Sequence, residues 1–251
     1  MHAVVTVIFF IYGVVFGSFF NVVGLRVPNG TLFAQTRSYC DTCQRTLTWK
    51  ELIPVWSFLH QRGRCKKCKE NISLLYPIME LATGLLAAIT FYQYGWSEKT
   101  LLGLVLIALI IPITVSDIAY RKIPNKLLLF FTPLFIVVRI LYPQPSLWIS
   151  LVGASLAFCL VSAIIFLSNG GMGVGDLKYF SLLGFIFGPR LFLLLFFLAT
   201  LYGAIIGMIM MKITRGNRKM TIPFGPYIGL AALTVFYCGE KMIQWYLNFF
   251  N

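Results

Sequence analysis

The sequence predicts an all-α polytopic membrane protein with about eight transmembrane helices and a small cytosolic loop domain between the first two. Of the 251 residues, 59% are hydrophobic and only 12% are charged, whereas a soluble domain carries about 25% charged residues. The mean hydropathy is +0.82. Long apolar runs alternate with short basic segments, as expected of a chain that crosses a bilayer repeatedly. The formal charge of +13 is spread over several loops, which argues against nucleic-acid binding.

Eight apolar runs are predicted to form the membrane spans, each of which needs about 20 residues to cross the hydrocarbon core. They lie near residues 3–25, 74–94, 101–118, 127–142, 147–168, 177–189, 190–211 and 222–248. The first run could pass for a signal peptide, but no Lys or Arg precedes it and Arg26 follows it, which favours a membrane helix. The sixth run is short, and the pair Gly188-Pro189 is predicted to break the chain before the seventh.

Basic residues orient these spans, because Lys and Arg concentrate in cytoplasmic loops. With the N-terminus outside, eight spans place the segments 26–73, 119–126, 169–178 and 212–221 inside. Of the 21 basic residues, those that then fall toward the outside are Lys99, Arg139, Arg190 and Lys241. Merging 177–211 into one span would move the basic loop 212–221 outside, so the charge pattern favours eight spans.

The segment 26–73 is the one sizeable polar region, and it is short enough to need a staple. Four cysteines in it follow the spacing C-x2-C-x21-C-x2-C, namely Cys40, Cys43, Cys65 and Cys68. Two such knuckles are typical of a closed, structural four-cysteine zinc site. A cytosolic location is reducing and disfavours disulfides, although redox chemistry or unpaired thiols remain the alternative. Cys159 and Cys238 lie in apolar spans and are interpreted as packing residues.

Two carboxylates are the candidates for catalysis. The chain has three aspartates; Asp41 lies in the cysteine-bearing loop, whereas Asp117 and Asp176 lie where long apolar segments end. A carboxylate at the centre of a membrane helix costs about 2.5–3.5 kcal/mol on insertion scales, so it is rarely without function. The predicted topology brings both to the cytoplasmic edge of the bilayer. Two close carboxylates share one proton, so that one can activate water while the other donates to a scissile carbonyl.

Other catalytic patterns are scarce. The two histidines, His2 at the terminus and His60 beside the second knuckle, leave few candidates for a Ser-His-Asp or Cys-His arrangement. The sequence contains no Walker-type phosphate loop, H-E-x-x-H or G-x-S-x-G. Three glycines before the last aspartate, Gly171, Gly173 and Gly175, would let a substrate backbone approach closely.

Each aspartate also has a purely structural interpretation. Asp176 stands before a predicted helix and would serve as its N-cap after a flexible glycine loop. Asp117 is four residues before Arg121, so the two would form a salt bridge on one helical face.

Five motifs in order along the chain resemble those of the bacterial type 4 prepilin peptidases, which are membrane aspartic proteases of the G-x-G-D kind. The motifs are GSFFNVVGLRVP (17–28), CDTC…RGRCKKC continuing into ENISLLYPIMELATG (70–84), DIAYRKIPN (117–125), GVGD (173–176) followed by Lys178, and IPFGPYIGLAAL (222–233). The resemblance covers almost the whole chain.

By this resemblance, Asp117 and Asp176 are the catalytic pair, and the substrate-proximal residues are Gly173, Gly175 and Lys178. The family cleaves the leader from type IV prepilin or pseudopilin precursors at the cytoplasmic face, after a glycine. It then methylates the new N-terminal residue with S-adenosylmethionine. The short chain fits relatives that process competence pseudopilins. The implied parts are a first helix (1–25), a zinc loop associated with methyl transfer (26–73) and a transmembrane aspartic protease core (74–251).

The methyl-transfer residues are not identified by any glycine-rich motif, and Glu70 and Lys67 are candidates only by their position in the loop. Besides precursor proteins, the implied partners are membrane lipids, since anionic head groups attract basic loops. Two other functions stay open. A proton-coupled transporter would use intramembrane acids, with an inverted repeat and acids near the midplane. A membrane scaffold that docks a partner through the zinc loop would not need both aspartates.

Overall fold

The structure is a computed structural model, and it describes residues 2–32, 37–40, 42–142, 145–168, 171–213 and 223–250. The α-helices in this part of the chain are α1 (His2–Arg26), α2 (Trp56–His60), α3 (Leu75–Tyr94), α4 (Glu98–Tyr120), α5 (Asn125–Leu141), α6 (Leu147–Leu167), α7 (Val174–Ile213) and α8 (Gly225–Phe250). One 3-10 turn, Trp49–Glu51, precedes α2. The predicted all-α fold is confirmed. The predicted basic loop 212–221 lies outside the described residues except for its first two positions.

Five of these helices are long and apolar enough to cross a membrane, which makes the chain a multi-pass membrane protein. They are α1, α3, α4, α6 and α7. The other two long helices, α5 and α8, coincide with the predicted spans 127–142 and 222–248 but are not among those five. Helix α7 covers both the sixth and the seventh predicted spans in 40 residues.

Helix α7 is broken at the predicted position. Gly188 has φ 72° and ψ 173°, which is outside the helical region, and Pro189 follows it. Because proline has no backbone N–H and Gly188 leaves the helical path, the last carbonyls before the break lose their intrahelical partners. The buried guanidinium of Arg139 on α5 donates a hydrogen bond to one of them, the carbonyl of Ile186. A cation that the charge pattern places toward the outside therefore has a structural partner in this break.

The chain packs as two compact units, Met1–Ser116 and Asp117–Asn251. In the first unit, α1 and α3 approach closely through glycines: a Cβ added at Gly13 would lie 2.8 Å from the Cα of Gly84. Buried Asn21 donates to the carbonyl of Tyr76 at 3.1 Å, near the first turn of α3. Small residues and interhelical hydrogen bonds are the usual means of packing helices in lipid.

The second unit is built on α7. Helix α6 packs on it where Gly153 and Gly184 meet, and neither position has room for a side chain. The fully buried side chains of this unit include Tyr179, Phe180 and Phe192. Asp176 lies in the first turn of α7, so this packing helps to fix its position. The functional division into 1–25, 26–73 and 74–251 stays a prediction, since compactness does not assign activities.

Candidate active site and metal centre

Asp117 lies in the last turn of α4, with only 5% of its surface exposed. Its Oδ2 accepts a hydrogen bond of 2.7 Å from the backbone N–H of Gly225, the first residue of α8. The first N–H groups of a helix have no intrahelical partner, and the helix dipole favours a negative charge there. The N-terminus of α8 therefore holds the Asp117 carboxylate in a fixed position.

Gly225 permits this close contact because it has no side chain. A Cβ at this position would lie 2.9 Å from Oδ2 of Asp117 and 3.2 Å from its Cβ and Cγ. Asp117 would have to move to make room. Gly225 is thus a site residue to which the sequence analysis gave no role, although it lies in the IPFGP motif. A glycine followed by proline at the start of an apolar run was the available signal.

Asp176 is the third residue of α7 and is half-buried. Its Oδ2 accepts a 3.0 Å hydrogen bond from the N–H of Gly173, and its own N–H donates to the Gly173 carbonyl at 3.1 Å. This is the carboxylate half of a capping box, in which Gly173 is the N-cap. The interpretation of Asp176 as the N-cap is wrong in position: the carboxylate reaches back to the cap from inside the helix.

The two carboxylates both lie in the second unit, and no hydrogen bond joins them among the described residues. They lie within electrostatic range of each other. Each is held through Oδ2 by a backbone N–H at the start of a helix, which leaves Oδ1 of each without a hydrogen-bond partner among the described residues. Each carboxylate therefore keeps one oxygen that can accept a further hydrogen bond.

The alternative role for Asp117, a salt bridge with Arg121, is wrong for the described structure. The described chain contains one ion pair, between Arg45 and Glu51. Helix α4 ends at Tyr120, and Arg121 adopts a left-handed backbone with φ 54°. Arg121 therefore does not continue the helical face that carries Asp117.

The predicted substrate-proximal residues lie around the start of α7. Gly173 and Lys178 are exposed and Gly175 is half-buried. The Lys178 ammonium donates to Oδ1 of Asn125 at 3.0 Å, and a Cβ at Gly175 would lie 3.1 Å from the Cβ of Ile123. The two aspartate motifs, 117–125 and 173–178, are therefore in direct contact. Gly171 is exposed and donates its N–H to Ser168 Oγ.

Tyr179 is a second residue that the sequence analysis missed. It follows Asp176 by three positions on α7, so the two side chains lie on the same helical face. Tyr179 is completely buried, and its hydroxyl has no hydrogen-bond partner among the described residues. It also lies within electrostatic range of Asp117. A buried hydroxyl without a partner is rare in native proteins, and it is one more polar group beside the dyad.

The four predicted metal ligands lie together in the first unit. The sulfur atoms of Cys40, Cys43, Cys65 and Cys68 all lie within 4.8 Å of one another. Cys40 Sγ and Cys68 Sγ are 3.7 Å apart. A tetrahedron with Zn–S bonds of about 2.3 Å has edges of about 3.8 Å, so the sulfur positions fit a four-cysteine zinc site.

The two knuckles repeat one backbone pattern. In the first, Cys40 N–H donates to the Arg45 carbonyl and Gln44 N–H donates to the Cys40 carbonyl. In the second, Cys65 N–H donates to Glu70 and Lys69 N–H donates to Cys65 in the same way. Gln44 and Lys69 both have positive φ, and an isolated antiparallel bridge flanks each turn. Two copies of one tight turn thus face each other across the sulfur cluster.

Backbone hydrogen bonds prepare some of these thiols to be ligands, since only a thiolate binds metal. The N–H groups of Cys68 and Lys67 lower the pKa of Cys65 to about 6. Those of Cys43 and Thr42 lower the pKa of Cys40. The pKa of Cys68 moves the other way, to about 11: a bond to the Glu70 backbone lowers it, but desolvation and the neighbouring thiols outweigh that bond.

A partly buried ion pair supports the first knuckle. The Arg45 guanidinium donates to both carboxylate oxygens of Glu51, at 2.7 and 3.1 Å. Thr48 donates to the same carboxylate through its N–H and its hydroxyl. The Arg45 bonds are the main reason that the pKa of Glu51 falls to about 2. The other two loop candidates, Lys67 and Glu70, are exposed beside the second knuckle.

Comparison with known proteins identifies the family. Residues 11–94 match the bacterial peptidase A24 N-terminal domain, and residues 104–208 match the type IV leader peptidase family. A Bacillus subtilis protein named prepilin leader peptidase/N-methyltransferase is 36% identical over 96% of this chain and 97% of its own length. Proteins of the same name from Stutzerimonas stutzeri and Neisseria gonorrhoeae are 28% and 29% identical, each over 95% of this chain and over 92% and 93% of their own lengths. No solved structure matches this chain. The chain belongs to the type IV leader peptidase family of membrane enzymes.

Proposed function

We propose that this protein cleaves the leader peptide from type IV prepilin or pseudopilin precursors at the cytoplasmic face of the membrane, using Asp117 and Asp176. The observation that supports this most directly is the geometry of the pair: two carboxylates in one unit, each fixed by a helix N-terminus and each with one free oxygen. The relatives' shared name supports the substrate class. Nothing in the described residues or the relatives' names favours a transporter.

The chemistry follows from the shared proton. Since two adjacent carboxylates cannot both ionise easily, one is ionised and one is protonated at neutral pH. The ionised carboxylate takes a proton from a water molecule, which attacks the scissile carbonyl carbon. The protonated carboxylate donates its proton to the carbonyl oxygen. Collapse of the tetrahedral intermediate breaks the C–N bond: the leaving amine takes the proton that the first carboxylate removed from water, and one hydroxyl of the intermediate returns its proton to the second carboxylate. The pair titrates as a unit through this cycle.

Substitution of each aspartate tests the assignment. We expect Asp117→Asn or Asp176→Asn alone to abolish cleavage of a prepilin peptide, a loss of about 10²–10⁴-fold or more, because an amide cannot exchange the shared proton. The measurement is mass analysis of the peptide after incubation with purified protein. Glu98→Gln, at the start of α4, is the matched control and should cleave normally. Cleavage that survives in either aspartate variant would refute the dyad.

We further propose that the loop 26–73 carries the methyl transfer, with S-adenosylmethionine as the methyl donor, and that 74–251 forms the protease core. The relatives' names include N-methyltransferase, and the match to the A24 N-terminal domain covers this loop. Mass analysis of the cleaved peptide, with and without S-adenosylmethionine, should show an added methyl group only when the donor is present. A peptide that is cleaved but never methylated would contradict the methyl-transfer proposal and leave the peptidase proposal standing.

The zinc site has its own test. We expect about one zinc ion per chain in the purified protein. Cys43→Ser should lose most of this metal, because three thiolates leave the closed site incomplete. Cys238→Ser changes an exposed cysteine on α8 and should keep the metal. Full metal content in the Cys43→Ser protein would contradict the four-cysteine site.

A further inference from the structure

The loop between the first two long helices exposes an unusual apolar segment, defined here as residues 49–59. Trp49, Trp56 and Leu59 are 71%, 64% and 63% exposed. Leu52 and Ile53 are also exposed. Scattered exposed apolar side chains are ordinary, but a concentration of them within one short segment marks an interaction surface. Tryptophan is the residue most typical of the membrane–water interface, where its ring and its N–H meet different surroundings.

A partly buried hydrogen bond ties this segment to the end of a membrane helix. Val55 N–H donates to the Glu80 carboxylate at 2.7 Å. Glu80 is buried in the second turn of α3, which starts at Leu75, so it lies only about 8 Å along the helix from that end. The interfacial layer on each side of a bilayer is about 5–8 Å thick. With the start of α3 at the membrane surface, as the predicted span 74–94 places it, the bond would hold the apolar segment at the depth of the lipid head groups.

A basic cavity adjoins the apolar segment along the chain. Helix α2 ends at His60, which is one of the residues that line a cavity of about 610 Å³ beside the second knuckle. Its lining includes four cationic side chains, those of Arg62, Arg64, Lys66 and Lys69. None of the described residues that line it is acidic. Such a cavity is complementary to an anion, and arginine and lysine together are the usual ligands of a phosphate group.

We propose that the zinc loop lies on the membrane surface, with the apolar segment in the head-group layer and the basic cavity holding the phosphate of an anionic lipid. The position of Val55, the exposed tryptophans and the charge of the cavity support the same placement independently. Basic residues near a bilayer gain about 1 kcal/mol each from anionic lipids, which corresponds to about fivefold in binding per charge. The proposal does not depend on the peptidase or methyl-transfer assignments.

Fluorescence tests the placement of the apolar segment. The full-length protein, with every tryptophan except Trp56 changed to Phe, is reconstituted into phosphatidylcholine vesicles. We expect blue-shifted Trp56 emission that is quenched by lipids brominated near the head group and protected from acrylamide. The same protein with Trp245 retained instead gives the reference emission for a tryptophan inside the predicted span 222–248. Water-like emission from Trp56, quenched by acrylamide and not by brominated lipid, would overturn the placement.

Lipid preference tests the cavity. Brominated phosphatidylglycerol should quench Trp56 at lower mole fraction than brominated phosphatidylcholine, and raised salt should remove the preference. The double variant Arg62→Gln/Lys69→Gln should lower the preference for phosphatidylglycerol by about fivefold for each charge removed. The control variant Lys99→Gln/Lys241→Gln also removes two positive charges, but both lie outside the cavity, so the preference for phosphatidylglycerol should be unchanged. Equal quenching by the two lipids in the unmodified protein would refute the lipid site. An unchanged preference in the Arg62→Gln/Lys69→Gln variant would also refute the cavity as the lipid site.

Discussion

The two aspartates depend on backbone groups that no residue pattern identifies. The sequence singles out Asp117 and Asp176 as candidates, because acids are rare in an apolar chain and each lies at the end of a hydrophobic run. The backbone N–H groups that bind the two carboxylates were harder to predict. The N–H that binds Asp117 comes from a residue 108 positions away along the chain, and it is a backbone group that every non-proline residue possesses. Only the fold shows that Gly225 is the residue brought to it.

Gly225 provides a prediction at the scale of a single residue. In Gly225→Ala, the new Cβ would lie 2.9 Å from Oδ2 of Asp117, so the carboxylate must shift. A misplacement of about 1 Å in a catalytic group can cost about 10²-fold in rate. We expect cleavage of a prepilin peptide to fall by about that factor while the protein remains folded.

The matched control for this substitution lies on the same helix. Gly239→Ala adds the same methyl group to α8, but its nearest neighbour would be a side-chain methyl of Val235. It should cleave at a nearly normal rate. Equal activity in the two variants would show that the contact between Gly225 and Asp117 does not position the dyad.

Among the elements, α7 shows how a local pattern and a distant contact combine. Gly188-Pro189 predicts a break from chemistry alone, because proline lacks an N–H and glycine tolerates the required backbone. The role of Arg139 was not predictable in this way. The sequence shows a cation in an apolar run, but only packing shows that it binds the carbonyl of Ile186, one turn or less before the break.

The break therefore predicts an effect on stability. Gly188 has φ 72° and ψ 173°, a region that is essentially limited to glycine, and alanine there costs about 1–3 kcal/mol. We expect Gly188→Ala to lower the thermal stability of the purified protein by this amount. Leu193→Ala, at an exposed position on the same helix, should change it by about 0.5 kcal/mol or less. Equal stabilities of the two variants would mean that a side chain at position 188 does not strain the backbone there.

For the whole molecule, hydropathy predicted most of the long helices, because a bilayer imposes length and polarity on every span. The orientation inferred from loop charge stays a prediction. The spans match the long helices to within a few residues at most ends. The clustering of the four cysteines was also predictable, since two C-x2-C pairs at this spacing are typical of one four-cysteine site. Two contacts were not predictable, namely the Arg45–Glu51 ion pair and the hydrogen bond from Val55 to Glu80. No residue pattern in the sequence marks the partners of either contact, and only the folded chain brings them together.

The eight-span topology gives a prediction for the whole chain. Helix α7 has 40 residues and, at 1.5 Å per residue, a length of about 60 Å, twice the hydrocarbon thickness of about 30 Å. We therefore expect it to cross the membrane twice, with the break at Gly188 near the outer surface. In a background with Cys159 and Cys238 changed to Ser, Arg190→Cys should react with an impermeant thiol reagent added to intact spheroplasts. Lys178→Cys, at the predicted inner end, should react only after the cells are opened. Labelling of both positions from the same side would contradict the double crossing and, with it, the placement of Asp176 at the cytoplasmic edge.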